Sequence, residues 1–390
     1  MSNKIFTPAT RIADVKEYYF STKLREISQL VAAGHDIISL GVGGPDRAPH
    51  DSVIERLCAE SHVESNHSYQ PYTGIAPLRE AMSSWYRARY GVELDGASEI
   101  LPLIGSKEGI LHISMAFVNP GDVMLIPNPG YPTYSSVSRL LDAELMEYEL
   151  VEERGWMPDF EALERLPLDH VKLMWVNYPN MPTGANATRE LYEQLVAFAR
   201  KHSIVVVCDN PYSMILNPAP MSILSIEGAK GCCIELNSLS KSLNMSGWRI
   251  GMLSTNAEFV KWILRVKSNI DSGMFKPLQL AAVEALQLGD EWYEQLNAVY
   301  AARRTVAARI MAALGCSYDP QQVGLFLWGR IPDSEESVEA FCDKVLEQAE
   351  VFITPGMIFG SCGERYVRIS LCATEERMEE ALQRINSIKL

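Results

Sequence analysis

An α/β fold is predicted for this chain: a large domain with a mainly parallel sheet between helices, followed by a smaller α+β domain. Three observations predict it. Short β-rich runs at 123–127, 172–177 and 204–208 alternate with helical patterns, and 190–202 reads as a helix between the last two. The run 204–208 is apolar without interruption, as expected of a parallel strand covered on both faces. From about residue 285 the pattern changes to a long helix over 290–314, strands at 325–331 and 366–371, and a closing amphipathic helix marked by Met378, Ala381, Leu382, Ile385 and Ile388. At 390 residues the chain also exceeds what one small core accommodates.

In chain order, residues 1–45 are expected to form an N-terminal arm and part of the small domain. Their Tyr18-Tyr19-Phe20 cluster is unusually aromatic for a tail with nothing to pack on. Residues 46–284 are assigned to the large domain and 285–390 to the small one. Within the large domain a strand at 100–104 runs into the turn Gly105-Ser106-Lys107-Glu108-Gly109, which opens a helix over 110–117. Backbone N–H groups at such a helix start form an anion site. Ligands of parallel sheets gather beyond the carboxyl ends of the strands. Polar residues follow three of these runs: Asn128 with Tyr131, Asn177 through Gly184, and Asp209 through Tyr212.

Composition excludes several function classes. A net charge of −14 argues against binding nucleic acid, whose phosphates require clustered Lys and Arg. No run approaches the roughly 18 apolar residues of a membrane span, and the N-terminus lacks the apolar core of a signal peptide. Eight cysteines without CxxC spacing read as reduced thiols of a cytoplasmic protein, and seven scattered histidines give no metal signal.

The chemistry concentrates in one segment, Ser238-Leu-Ser-Lys-Ser-Leu-Asn-Met-Ser-Gly-Trp-Arg-Ile-Gly251. Lys241 can form an imine, Ser238, Ser240 and Arg249 can hold an anion, and Asp209 stands at a strand end upstream. A lysine, an anion site and a carboxylate in this combination suit pyridoxal phosphate, whose aldehyde, phosphate and pyridinium nitrogen they match. Tyr131 can stack on a flat heterocycle. Arg368, in an apolar strand, must meet solvent or a carboxylate.

Together these residues resemble the class I/II aminotransferases, the fold-type-I pyridoxal-phosphate enzymes typified by aspartate aminotransferase. The resemblance runs from Gly41-Val-Gly-Gly-Pro-Asp46 to Arg368, in the same order and spacing. It implies Lys241 as the lysine that joins the cofactor aldehyde, Asp209 as partner of the pyridine nitrogen, Tyr212 on the ring hydroxyl and Tyr131 on the ring face. The phosphate falls to Ser106 and Lys107 backbone N–H groups with Ser238, Ser240 and Arg249. Arg368 and Gly43 fall to the substrate carboxylate, and Tyr18 joins the substrate residues. Tyr69 matches a tyrosine that reaches the neighbouring subunit's phosphate, so the resemblance implies a homodimer with shared active sites.

One residue departs from the pattern. The turn reads Asn177-Tyr-Pro-Asn180-Met181-Pro-Thr-Gly184, with Met181 where the family has an asparagine that bonds the ring hydroxyl. A thioether is no donor, so that bond is lost unless Asn180 or Asn177 supplies it. The implied activity moves an amino group between an L-amino acid and a 2-oxo acid such as 2-oxoglutarate. Lys107 either reads an acidic side chain, favouring aspartate or glutamate, or only supports the phosphate loop. LL-diaminopimelate and alanine aminotransferases, and carbon–sulfur β-lyases, share the pattern and are the alternatives.

Overall fold

The structure, a computed structural model, describes residues 6–12 and 19–388. Its centre is a seven-stranded sheet of β1 (Ile100–Leu103), β2 (Val123–Asn128), β3 (Glu144–Glu149), β4 (Val171–Val176), β5 (Val205–Asp209), β6 (Cys233–Ser238) and β7 (Gly251–Ser254). The spatial order is β1-β7-β6-β5-β4-β2-β3. All neighbours are parallel except β7, which runs antiparallel to both β1 and β6.

The apolar runs form strands because both faces of the sheet are covered, and residues alternate between two cores with the strand period of two. Val123 and Leu125 enter one core and Met124 and Ile126 the other. Met174 and Val176 alternate with Leu173 and Trp175, and Val206 and Cys208 with Val207, in the same way. The connecting helix Arg189–His202 begins where the Thr188 hydroxyl accepts the Leu191 N–H and ends at Ser203 in the left-handed region.

The expected strands and helices are present, with ends shifted by a residue or two, except that the helix expected over 110–117 begins at Ser106. The run at 123–127 lies within β2, and the expected helix over 290–314 is Asp290–Ala313. Three strands carried no sequence signal. Glu144-Leu-Met-Glu-Tyr-Glu149 is the sheet edge, where acidic residues break the apolar pattern and discourage pairing with another chain. Strand β6 ends in the polar residues Asn237 and Ser238, which mask it, and β7 is only four residues long.

A second, four-stranded antiparallel sheet has the order Thr354–Pro355, Tyr366–Ser370, Phe326–Arg330, Ser317–Tyr318. The helices Asp290–Ala313, Val338–Ala349 and Glu375–Ser387 pack with it. The N-terminal segment joins this part: Ile38–Ser39 pairs in parallel with Val351–Phe352, and Ile27 of the helix Tyr19–Ala32 packs on Leu346 and Phe352. Tyr18 lies outside the described residues.

One ion pair ties the segment after Ile38 to the long helix. Arg303, 4% exposed, donates to both oxygens of Asp46 at 2.7 and 2.8 Å and to the Leu371 carbonyl at 3.1 Å. Removing one partner of such a pair strands the other charge in the interior. Asp46→Ala should therefore cost about 3 kcal/mol, measured as a lowered urea midpoint, and the double replacement Asp46→Leu with Arg303→Met should recover most of it.

Candidate active site

The carboxyl ends of β4, β5 and β6 open into a cavity of about 390 Å³. Asp209, the last residue of β5, forms part of its wall and is 6% exposed. Oδ2 accepts a hydrogen bond from the Tyr134 hydroxyl at 2.9 Å, whereas the buried Oδ1 has no hydrogen-bond partner among the described residues. Burial pushes the Asp209 carboxyl up to about 6, opposed by the Tyr134 hydrogen bond and then by the Lys241 charge.

Lys241 sits in the four-residue helix Leu239–Ser242 that follows β6, where Ser238 accepts the Ser240 N–H at 3.2 Å. Its Nζ donates to the Gly43 carbonyl at 2.6 Å. Burial lowers the ammonium below its ordinary value; Arg368 and Arg249 add to the shift, while Cys372 and Asp209 oppose it. Tyr212 is half-buried beside it, with its hydroxyl pushed up mainly by desolvation.

An anion cradle lies at one end. Ser106 and Lys107 open the helix Ser106–Phe117, so their N–H groups belong to its first turn, whose amides have no acceptor within the helix. Gly105, at φ 80°, leaves the space that the Arg249 guanidinium occupies. Gly251 is constrained too, because a Cβ there would lie 2.6 Å from the Ser106 nitrogen. Arg249 donates to the Ser246 carbonyl at 2.8 Å and to Ser240 Oγ at 3.5 Å. The Lys107 ammonium is lowered by partial burial and then by Arg249.

At the other end Arg368 is 4% exposed and lies between two rings, its guanidinium carbon 4.0 Å from the centre of Phe326 and 4.8 Å from that of Phe359. It donates to the Gly41 carbonyl at 2.7 Å and to Met181 Sδ at 3.1 Å. Gly43 is pressed against Phe326, leaving no room for a side chain. Leu24 and Val42 complete an apolar rim.

Gly43, Ser106, Lys107, Tyr131, Asp209, Tyr212, Ser238, Ser240, Lys241, Arg249 and Arg368 thus line one cavity. Two expected residues do not. Asn180 is a correction: its Oδ1 accepts from the Thr183 amide and hydroxyl at 3.2 and 2.8 Å, and its Nδ2 donates to the Asn177 carbonyl at 3.1 Å, so the turn itself consumes the amide. Asn177 lines the cavity instead, but it donates to the Asp209 carbonyl and accepts the Met181 N–H at 2.7 Å. Tyr69 is outside its own chain's cavity and 91% exposed. Tyr134 was missed, although its place three residues after Tyr131, in the first turn of the helix Pro132–Leu140, is a signal that sequence offers. Phe326 and Phe359 read as ordinary core residues.

The cavity fits pyridoxal phosphate. A buried carboxylate oxygen lacking a donor suits a protonated pyridine nitrogen, the N–H cradle with Arg249 suits a phosphate, and Lys241 lines the same cavity. Comparison with known proteins agrees. Residues 35–385 match the model of aminotransferase class I and II. An LL-diaminopimelate aminotransferase of Oleidesulfovibrio alaskensis is 42% identical over 386 residues, 98% of this chain and 99% of that protein. Apo-BacF from Bacillus subtilis superposes with a TM-score of 0.95 at 35% identity, covering 99% of each chain. An aspartate aminotransferase of Thermus thermophilus, a single mutant, gives a TM-score of 0.90 at 25% identity over 98% of this chain and 99% of its own.

The raised Asp209 carboxyl has a consequence for the cofactor-free protein. Below about pH 4 the group is protonated whether folded or unfolded, and burial costs nothing. As pH rises toward 6 only the unfolded chain ionises, so stability falls, and above 6 the full penalty is present. Asp209→Asn should gain about 3 kcal/mol on the parent between pH 4 and pH 7, read from urea midpoints of the two cofactor-free proteins.

Proposed function

The chain belongs to the class I and II aminotransferases, and we propose that it moves the amino group of LL-diaminopimelate to a 2-oxo acid such as 2-oxoglutarate. Pyridoxal phosphate is its cofactor. When bound, the cofactor supplies an aldehyde that captures the substrate amine and a ring that accepts electrons from the Cα–H bond. The observation that carries the site assignment is the orphaned Asp209 Oδ1, buried where a pyridinium N–H would satisfy it.

In this reading Asp209 stays ionised against the bound cation, and Tyr134 holds its second oxygen. Lys241 would hold the cofactor aldehyde and would carry on Nζ the proton that leaves Cα; burial lowers its ammonium and so favours the neutral amine that accepts a proton. Arg368 takes the α-carboxylate, and the Phe326 and Phe359 rings that flank it keep water from the guanidinium. Ser106, Lys107, Ser238, Ser240 and Arg249 hold the phosphate. Tyr212 serves the ring hydroxyl without help from Met181, which faces Arg368.

The donor was expected to be aspartate or glutamate, with LL-diaminopimelate as an alternative. The names of relatives around 40% identical support placing LL-diaminopimelate first. Its chain ends in a second carboxylate, so the expectation that Lys107 reads a distal anion is kept, while Leu24, Val42 and Phe326 suit the intervening methylenes.

The exposed Tyr69, with Tyr72, Ile104, Ile270 and Phe275 also exposed, supports a homodimer in which Tyr69 reaches the partner's phosphate site. Eight unbridged cysteines support a reducing, cytoplasmic setting. Among the described residues no helix is long and apolar enough to cross a membrane.

The decisive experiment incubates the cofactor-loaded enzyme with LL-diaminopimelate, aspartate, glutamate or alanine and follows the cofactor absorbance. LL-Diaminopimelate should convert it fastest; if no amino acid converts it, the proposal fails. Lys241→Ala should still bind the cofactor, lose turnover and no longer be labelled on borohydride reduction. Lys107→Ala should slow LL-diaminopimelate relative to alanine by about 1.5–3 kcal/mol in kcat/KM, the loss of a charge-assisted bond. Equal loss for both donors would reduce Lys107 to a loop residue.

A further inference from the structure

A buried histidine stands one turn beyond the anion cradle with nothing to bond. His112, in the helix Ser106–Phe117, is 1% exposed, and neither ring nitrogen has a hydrogen-bond partner among the described residues. A buried imidazole as a rule spends at least one nitrogen on a donor or an acceptor. Here that partner has to come from outside the chain.

Two carboxylates face the ring. Glu108 stands one turn earlier in the same helix, at the i, i+4 spacing that puts two side chains on one face. Its Oε1 accepts the Ile104 N–H at 2.5 Å, and its Oε2 lies 3.6 Å from His112 Nε2. Asp271 comes from the segment after the helix Ala257–Lys267, which packs on Ser106–Phe117. One ligand atom from each of Glu108, His112 and Asp271 lies within 4.8 Å of the others. Histidines scattered along a chain carry no metal signal when only their spacing from one another is weighed; the spacing that matters here is carboxylate to histidine.

The distances fit a metal ion better than a proton. At 3.6 Å the Nε2–Oε2 separation is too long for a hydrogen bond. Two such ligands, each about 2.1 Å from one tetrahedral ion, are about 3.4 Å apart, close to the separation seen. Asp271 accepts Lys267 Nζ on both oxygens, at 2.7 and 2.6 Å, and the Gly273 N–H on Oδ1 at 3.0 Å. A carboxylate has about four acceptor sites, which leaves one on Oδ2. The Lys267 ammonium cancels one of the two carboxylate charges, so with a neutral imidazole the cluster keeps a net negative charge. An imidazole among its ligands favours a transition ion over Mg²⁺ or Ca²⁺, which prefer oxygen alone.

We propose that Glu108, His112 and Asp271 form a binding site for a divalent transition-metal ion of the zinc type, with water completing its coordination. Glu108 is half-buried, so an ion reaches the cluster from that side. The site is separate from the amino-acid site and independent of the donor assigned above. Glu108 follows Ser106 and Lys107 directly, so an ion there fastens the turn that carries the anion cradle to the segment after Ala257–Lys267.

The test is calorimetric titration of the cofactor-loaded enzyme, first stripped of metal with a chelator, with Zn²⁺ and with Mg²⁺. Zn²⁺ should bind saturably and raise Tm, and Mg²⁺ should bind at least about a hundredfold more weakly. Glu108→Gln, which keeps an oxygen for the Ile104 N–H, and His112→Phe, which keeps a ring in the core, should each weaken Zn²⁺ about tenfold or more. Both variants keep all eight cysteines, so an ion held by thiols would bind them as it binds the parent. No saturable Zn²⁺ binding up to about 1 mM, equal affinity for the two ions, or unchanged binding in both variants would overturn the proposal.

Discussion

A carboxylate withdrawn from water with half of its bonding capacity satisfied is the constraint around which this molecule is arranged. Asp209 reaches its position only because β5 is covered on both faces, which places the end of the strand inside the protein. Without a partner such a group costs stability, and here it stands on the wall of the cavity. The neighbouring features follow: the Tyr134 hydroxyl secures one oxygen, the Lys241 ammonium is depressed by the same burial, and Gly105 leaves the space that the Arg249 guanidinium fills.

Much of this was legible in the sequence because it was written in contrasts. A polar residue directly after an unbroken apolar run marks the end of a buried strand, and Asn128, Asn177 and Asp209 all stand there. What stayed hidden lacked contrast. The edge strand Glu144–Glu149 looks like a loop because its exposed positions are charged, and β7 is four residues of Gly, Met, Leu and Ser. Asn180 was misplaced because a turn's internal hydrogen bonds are not visible in composition: the amide that was to serve a ligand is spent on Thr183. Phe326 and Phe359 are spelled like any core residue, and only the arginine between them gives them a part in the site.

Met181 shows how one substitution redistributes contacts. In place of an amide facing a ring oxygen, the turn presents a sulfur to the guanidinium of Arg368. The contact is soft and uncharged, and the guanidinium's orientation is held further by the Gly41 carbonyl and two rings.

The short stretch from Gly41 to Asp46 touches three cations in turn: the Gly41 carbonyl accepts from Arg368, the Gly43 carbonyl from Lys241, and the Asp46 carboxylate from Arg303. The Gly41 and Gly43 carbonyls thus meet two cations of the same cavity with one residue between them. The spacing therefore works like the pitch of a screw. A single residue gained or lost between Gly41 and Gly43 would carry the second carbonyl and the carboxylate up to about 3.3 Å along the chain relative to the first, detaching Lys241 and Arg303 together. Length, more than side-chain identity, is what this segment has to preserve.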